Sequence, residues 1–475
     1  MKRIGILLEA VIILFETCLT STPSCSIYNP FRIQPDDNNY QIGATFSLHD
    51  EDCVKLHVET AQDIVAAQWA LTHWNQNVKT NNLKTSLYAG DTCSKPKEAI
   101  SQTIKFLDSL GFYEPDECNT GNQNFRKLLG LFLPKDPASA KAVASILQAT
   151  PLPLLAYNYA VADELTQMNI PNFITTAPTL TVFIDAFIRF MKNLNSNLVA
   201  IVRRAEDESR INRLLSRLRQ KKIFISELID PEAPNFEQVI RDSDSQIIFA
   251  LLSKNEITKL VTGNNFGIDK TWVVVEMDTD EQLSERKLSE FMVDSDVQII
   301  YLRQQQRDLP QFKNYFLRLL KNNYQSYSLL SSFMQQMCNC TISNGNNDNE
   351  CSKIDVQTLA LNYKQTSTIE SVIRAVYAFT AVAARLEKKP IALALCAKPS
   401  SKCTELIMTE LESLTYEFDV NDPAELVGTN LHFYWESNTT LISNGIVIEG
   451  IEMIGDEQLG LVEVKVIIMP LNKLF

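Results

Sequence analysis

Cysteine is the residue of this sequence with the widest chemistry, because a thiol can oxidise to a disulfide or bind a metal ion. The chain has ten of them, at Cys18, Cys25, Cys53, Cys93, Cys118, Cys338, Cys340, Cys351, Cys396 and Cys403. Three groups are close in sequence, and we predict that a disulfide in each clips a loop to neighbouring structure. The groups are Cys53 with Cys93, Cys338 and Cys340 with Cys351, and Cys396 with Cys403. The spacing leaves the connectivity within the second group open.

Zinc binding is the alternative for some of these thiols. Cys338 and Cys340 form a Cys-x-Cys pair, and His49, Cys53 and His57 recur at intervals of four residues. Structural zinc sites usually contain paired Cys-x2-Cys sets, which this sequence lacks. We therefore expect disulfides and no metal.

Catalytic motifs are missing from the sequence. It has four histidines, and neither a Gly-x-Ser-x-Gly, a His-Glu-x-x-His nor a Walker-type phosphate loop is present. We predict that the protein is not an enzyme and needs no cofactor.

The first residues have the layout of a secretory signal peptide, which we place at 1–24. Lys2 and Arg3 precede an apolar run that ends near Phe15, and small polar residues follow it. A buried N-terminal helix is the alternative. Secretion exposes the chain to an oxidising compartment, which favours disulfides.

Cleavage after the leader would remove Cys18 and leave an odd number of cysteines. Cys118 lies in a polar stretch, so we predict that it bridges two copies of the chain; a free or locally paired thiol is the alternative. Asn339 and Asn438 each begin an Asn-x-Thr triplet, which predicts glycosylation on the surface of a secreted protein.

Composition excludes several classes of partner. The chain has 475 residues, 45% of them hydrophobic, and a net charge of -13. Such an acidic protein repels nucleic acid and anionic membranes, so we expect neither as a partner. Beyond the leader, no stretch approaches the ~20 apolar residues that span a bilayer, so we expect membrane attachment only through a segment outside this chain.

Apolar runs rich in branched residues alternate with segments of helical period, which predicts an α/β fold with mainly parallel sheets. The predicted strands are 41–48, 84–90, 127–133, 152–158, 198–204, 221–227, 246–252, 271–277 and 297–302. The clearest predicted helices are 61–74, 97–110, 138–149, 206–218 and 369–386.

Several segments together resemble the ligand-binding ectodomains of class C G-protein-coupled receptors, especially those similar to metabotropic glutamate receptors. They are YQIGATFSLHD at 40–50, LYAGDTC at 87–93, IYLRQQQRDLPQFKNYFLRLL at 300–320, ESVIRAVYAFTAVAARLE at 370–387 and HFYWESNTT at 432–440. The resemblance runs from about residue 41 to 450. It implies a Venus-flytrap, which is a two-lobed, periplasmic-binding-protein-like type I fold that closes on a small ligand.

The resemblance also implies how the chain divides. We predict an upper lobe of residues 38–178 and 313–447 and a lower lobe of residues 179–312 and 448–475. Members of this family dimerise through the upper lobe, where a loop cysteine links the two chains, and Cys118 occupies the equivalent loop. We therefore expect a homodimer, or a heterodimer with a related receptor.

The family's ligand contacts carry over only in part. Its amino-acid receptors hold a distal carboxylate with a base on the first helix and a late lysine, but Asp63 and Thr368 stand there. Of the positions that hold the rest of the ligand, Ser139 is a displaced serine and Asp278 matches the lower-lobe acid. The neutral hydrogen-bonding residues Tyr157 and Asn158 complete the predicted binding set.

Each acid also has an ordinary structural interpretation, since Asp278 could cap a helix and Asp63 could be a solvated helix residue. A ligand carboxylate beside Asp63 would be repelled, so we predict an amino acid or amine-like ligand other than glutamate. The prediction is an extracellular ligand-binding region, either secreted or on the outer face of the plasma membrane. A secreted solute-binding protein or a ligand-silent partner of the same fold is the alternative.

Overall fold

A computed structural model describes most of the chain from residue 31 to residue 462. The described ranges are 31–33, 40–77, 85–109, 127–168, 170–204, 208–251, 270–275, 298–304, 309–325, 328–341, 350–396, 400–413, 416–417, 432–437, 440–442, 446–454 and 458–462. The predicted leader at 1–24 and the residues Cys118, Asp278 and Asn438 lie outside them.

The strands form two sheets. The first contains β1 (Phe31–Ile33), β2 (Tyr40–Phe46), β3 (Thr85–Asp91), β4 (Lys127–Phe132), β5 (Leu154–Ala156), β6 (Phe173–Thr175), β12 (Tyr416–Glu417), β13 (His432–Ser437) and β14 (Thr440–Ile442). The second contains β7 (Leu198–Val202), β8 (Phe224–Ile229), β9 (Ile247–Ala250), β10 (Thr271–Val275), β11 (Gln298–Gln304), β15 (Ile446–Ile454) and β16 (Gln458–Val462). The strand orders are β1-β3-β2-β4-β5-β6-β14-β13-β12 and β16-β15-β11-β10-β9-β7-β8.

Helices connect the strands. They are α1 (Val58–Asn77), α2 (Pro96–Ser109), α3 (Pro137–Leu147), α4 (Tyr159–Gln167), α5 (Leu180–Asn193), α6 (Glu208–Gln220), α7 (Phe236–Asp242), α8 (Pro310–Asn323), α9 (Ser328–Cys338), α10 (Val356–Asn362), α11 (Ile369–Glu387), α12 (Pro390–Leu395) and α13 (Ser401–Glu412). In the described part of the chain, no helix is long and apolar enough to cross a membrane.

The predicted α/β class is confirmed. Strands β2 to β6 run parallel in the first sheet, as do β7 to β11 in the second. The antiparallel pairs are β1 with β3, β11 with β15, β15 with β16, β12 with β13 and β13 with β14. All nine predicted strands are present. The prediction lacked β1, β6 and β12 to β16, and four of these, β1, β6, β12 and β14, have only two or three residues, too few to show a pattern.

Each sheet is covered on both faces, which explains why its strands read as continuous apolar runs. In β3, Leu87 and Ala89 pack in one core with α1 and α11, whereas Tyr88 packs on the opposite face with α2. In β7, Ile201 and Val202 divide in the same way between the two cores of the second sheet. The lobe boundaries stay a prediction.

Helix α11 differs from the amphipathic helix predicted at 369–386. It is buried on almost every side, and its buried residues include Arg374 and Glu370. The helix is apolar around most of its circumference, as is typical of a helix enclosed by other elements. It packs against α1, α12 and α13.

Three disulfides join the predicted groups, and they decide the connectivity that the sequence left open. The pairs are Cys53–Cys93, Cys340–Cys351 and Cys396–Cys403. The zinc alternative is wrong for Cys53 and Cys340, because a disulfide sulfur has no thiolate to offer a metal.

Cys338 is the free cysteine of the described residues. Burial raises the pKa of its thiol above the ordinary value, partly offset by a hydrogen bond with Asn362. The thiol is therefore mainly protonated at neutral pH, and the thiolate is the form that acts as a nucleophile.

Gly130 in β4 offers a test of the packing between the first sheet and α11. A methyl group added there would collide with the ring of Phe379 and would lie 2.9 Å from the carbonyl oxygen of Pro153. We expect Gly130→Ala to lower the free energy of unfolding by about 1–3 kcal/mol, because a ring and a backbone atom must both move. Urea denaturation of the two proteins measures the difference.

Gly90→Ala is the matched control. Its added methyl would lie 3.2 Å from Cβ of Gln102, a contact that a shift of a few tenths of an ångström relieves. Equal losses of stability in the two variants would contradict the packing described for Gly130.

Candidate functional site

The carboxyl ends of β2 to β6 meet at one edge of the first sheet, because these strands are parallel. The loops that leave this edge carry Ser139 after β4 and Tyr157 and Asn158 after β5. In open parallel sheets this edge is where ligands bind, and helix N-termini there favour anionic groups. The structure therefore brings three of the predicted binding residues to one edge.

Ser139 lies in the first turn of α3. The carboxylate of Asp136 caps this helix and accepts a hydrogen bond from the Ser139 backbone N–H at 2.8 Å. The Ser139 hydroxyl is fully buried, and it has no hydrogen-bond partner among the residues that the structure describes. A buried hydroxyl at a helix N-terminus is equipped to donate to an anionic ligand group.

Asn158 caps α4. Its side-chain oxygen accepts hydrogen bonds from the backbone N–H groups of Ala160 at 2.9 Å and Val161 at 3.3 Å. The residue is 6% exposed. Its carbonyl oxygen is therefore engaged in the helix cap, and only the side-chain NH2 group could serve a ligand.

Tyr157 is buried between two phenylalanines of the first sheet. Its ring centroid lies 6.0 Å from that of Phe46 and 6.5 Å from that of Phe132. These rings belong to one hydrophobic core, so the Tyr157 ring packs in the core directly next to the sheet edge.

Asp63 lies on α1 and is fully buried, so its interpretation as a solvated helix residue is wrong. The Thr368 hydroxyl donates to its Oδ1 at 2.5 Å. These are the two positions at which the sequence resemblance implied basic side chains in a receptor for an acidic amino acid. In this chain they bond to each other across 305 residues of sequence.

The first turns of α11 are tied to the same region. The Thr176 hydroxyl, just after β6, donates to the Ser371 carbonyl oxygen at 2.9 Å. In the same turns, Glu370 and Arg374 form an ion pair with both side chains at most 4% exposed. Their i,i+4 spacing is a signal that the sequence contained, but nothing in it indicated burial.

The loop after β2 is held rigidly at this edge. The Asp91 carboxylate accepts hydrogen bonds from the Leu48 N–H at 3.0 Å and from His49 Nδ1 at 2.6 Å, and the Cys53–Cys93 disulfide closes the loop. The N–H groups of Val54 and Lys55 hold the pKa of the Asp50 carboxyl below its usual value. Both carboxylates thus organise the loop.

The predicted glycosylation site at Asn339 is exposed, in a turn directly after α9. Its backbone φ is 48°, a left-handed conformation that asparagine tolerates well. Whether Asn339 carries a glycan stays a prediction.

Comparison with known families supplies one finding. Residues 64–403 match the profile of a family described as the receptor family ligand binding region. The match begins within α1 and ends in the first turn of α13, and therefore includes Ser139, Tyr157, Asn158 and the first sheet's strands from β3 to β6.

Proposed function

Because the chain belongs to the family of receptor ligand-binding regions, which includes the Venus-flytrap domains of class C receptors, we propose that it binds a small ligand between two closing lobes. The family and the three disulfides fit an extracellular location. The observation that carries the proposal is the buried Ser139 hydroxyl, which lacks a hydrogen-bond partner among the described residues at the N-terminus of α3. A buried polar group is costly unless a partner satisfies it, and a ligand carboxylate is a suitable partner.

The contact between Asp63 and Thr368 supports the predicted class of ligand. A distal carboxylate placed here would face another carboxylate rather than a cation, at a cost of roughly several kcal/mol in a partly desolvated site. An amino acid with an uncharged or cationic side chain, or a related amine, avoids this repulsion. We retain Asp278, which lies outside the described residues, as the proposed partner of the ligand's ammonium group.

Assembly and modification complete the proposal. We propose that the chain dimerises with a second copy or with a related receptor through Cys118, and that Asn339 and Asn438 carry glycans. We further propose binding without catalysis. Electrophoresis of the purified protein with and without reductant tests the dimer, since a monomer in both lanes would contradict a Cys118 bridge.

A thermal-shift screen of the glycosylated protein against amino acids, amines and divalent ions tests ligand binding. We expect a neutral or cationic amino acid or an amine to raise Tm, because a ligand that binds only the folded state stabilises it. Ser139→Ala should weaken an amino-acid ligand by about tenfold or more, since hydrogen bonds to charged groups contribute about 1.5–3 kcal/mol.

Ser145→Ala is the matched control, because Ser145 is an exposed serine of the same helix that bonds to the Lys141 carbonyl oxygen at 2.7 Å. If both substitutions weakened ligand binding equally, Ser139 would not be part of the binding site. Stabilisation by glutamate that Asp278→Ala abolishes would overturn the proposed ligand class. A screen without any shift would favour the ligand-silent partner.

A further inference from the structure

Asp163, on α4, is a buried carboxylate held by two arginines of α6. Its Oδ2 accepts a hydrogen bond from Arg210 Nε and its Oδ1 from Arg213 Nη2, each at 2.8 Å. The Asp163 side chain is 0% exposed, whereas those of the arginines are 20% and 28% exposed. Charged residues are seldom buried this completely unless they are paired.

The two helices belong to different sheets. Helix α4 connects β5 to β6 in the first sheet, and α6 connects β7 to β8 in the second. A second polar contact joins the same helices, because the Ser209 hydroxyl donates to the Gln167 side-chain oxygen at 2.6 Å. The contact between the helices is therefore polar and specific.

Each helix is anchored in its own sheet by other residues. Val161 and Leu165 of α4 lie in a core of the first sheet, and Ile211 and Leu214 of α6 lie in a core of the second. The two arginines are three residues apart and so share another face of α6. The ion pairs are therefore not needed to hold either helix on its own sheet.

The start of α4 also contacts the second sheet's core. Tyr159, its first residue, packs edge-on against Phe183 of α5 with ring centroids 5.1 Å apart. Tyr159 belongs to the same core as Ile211 and Leu214 of α6. An apolar contact thus lies beside the ion pairs and favours a junction that stays closed.

We propose that Asp163, Arg210 and Arg213 form a permanent joint between the two sheets, about which any movement of one sheet against the other must turn. Separating α4 from α6 would break both ion pairs of Asp163 and leave its carboxylate without either arginine. The joint lies near the first turns of both helices, which follow the carboxyl ends of β5 and β7. It therefore sets how the two carboxyl edges approach each other.

Hydrogen–deuterium exchange of the full secreted chain, without ligand, tests the joint. In Asp163→Asn we expect amide exchange in both α4 and α6 to become about tenfold faster or more, because removing one member of a buried charge pair is strongly unfavourable. We also expect a larger radius of gyration in small-angle X-ray scattering. Unchanged exchange in α6 would overturn the proposal.

Glu164→Gln is the matched control. This adjacent residue of α4 loses the same charge, but its carboxylate pairs with Lys141 of α3, within the first sheet's layer, at 2.8 Å. In Glu164→Gln, the rate of amide exchange in α6 should stay within about twofold of the rate in the original protein. Equal acceleration in both variants would contradict a joint built on Asp163.

A second variant keeps the test informative if Asp163→Asn is not secreted. Ser209→Ala removes the second polar contact between the helices without unpairing a buried charge, and it should speed amide exchange in the first turn of α6 and the last turn of α4. If exchange at both of these helix ends stayed unchanged, α4 and α6 would not be held together as proposed. None of these measurements needs a ligand, so failure of the joint would leave the proposed binding function standing.

Discussion

Replacing Arg374 with methionine should lower the free energy of unfolding by about 3–5 kcal/mol, because Glu370 would be left buried without its paired charge. Both side chains lie within the first sheet's helix layer and are at most 4% exposed. Water cannot hydrate the Glu370 carboxylate unless the packing around α11 opens. Urea denaturation followed by circular dichroism measures the loss.

Arg241→Met provides the control for Arg374. Arg241 pairs with Glu237 at the same i,i+4 spacing on α7, but both side chains are about half exposed. The expected loss is about 0.3–0.5 kcal/mol, as for other exposed helix pairs. Comparable losses in the two variants would show that burial does not govern the Glu370–Arg374 pair.

A double variant separates the cost of leaving one charge unpaired from the net contribution of the ion pair to the free energy of unfolding. Removing both charges with Glu370→Leu and Arg374→Met should recover most of the stability that Arg374→Met loses, since buried pairs can often be replaced by apolar residues. An additive loss in the double variant would contradict this account.

Removing the Cys53–Cys93 disulfide should cost about 4 kcal/mol, because its two cysteines are 40 residues apart and the unfolded chain gains the entropy of an open loop. We expect Cys53→Ser with Cys93→Ser to lower the urea midpoint accordingly. Loss of this bond also frees the loop after β2 from the edge that carries the proposed site.

The Cys396–Cys403 bond is the comparison, since it closes a separation of 7 residues. The same loop-entropy relation gives a cost of about 2.4 kcal/mol for Cys396→Ser with Cys403→Ser. Cys93, Cys396 and Cys403 are buried and Cys53 is half-buried, so the two variants differ chiefly in loop length. A larger loss for the shorter loop would rule out loop entropy as the dominant source of stability.

The sequence by itself determined the fold class and the three groups of cysteines that pair locally, although the structure had to decide which thiols pair in the group of Cys338, Cys340 and Cys351. Strands such as β10, which reads TWVVV, are buried on both faces, and their apolar runs are visible without any tertiary information. Cys396 and Cys403 could be paired from spacing for a related reason, because nearby residues have few other partners to meet. The local pattern of apolar residues and the short sequence separation of the cysteines were sufficient to predict these features.

Only the tertiary structure decided how distant polar residues combine. Asp63 and Thr368 are 305 residues apart, and their hydrogen bond follows from α1 and α11 packing together on one face of the first sheet. Asp163 likewise meets Arg210 through the contact of helices from two different sheets. A side chain's type and helical position limit what it can bond to, but its burial and its partner are set by which elements pack against it.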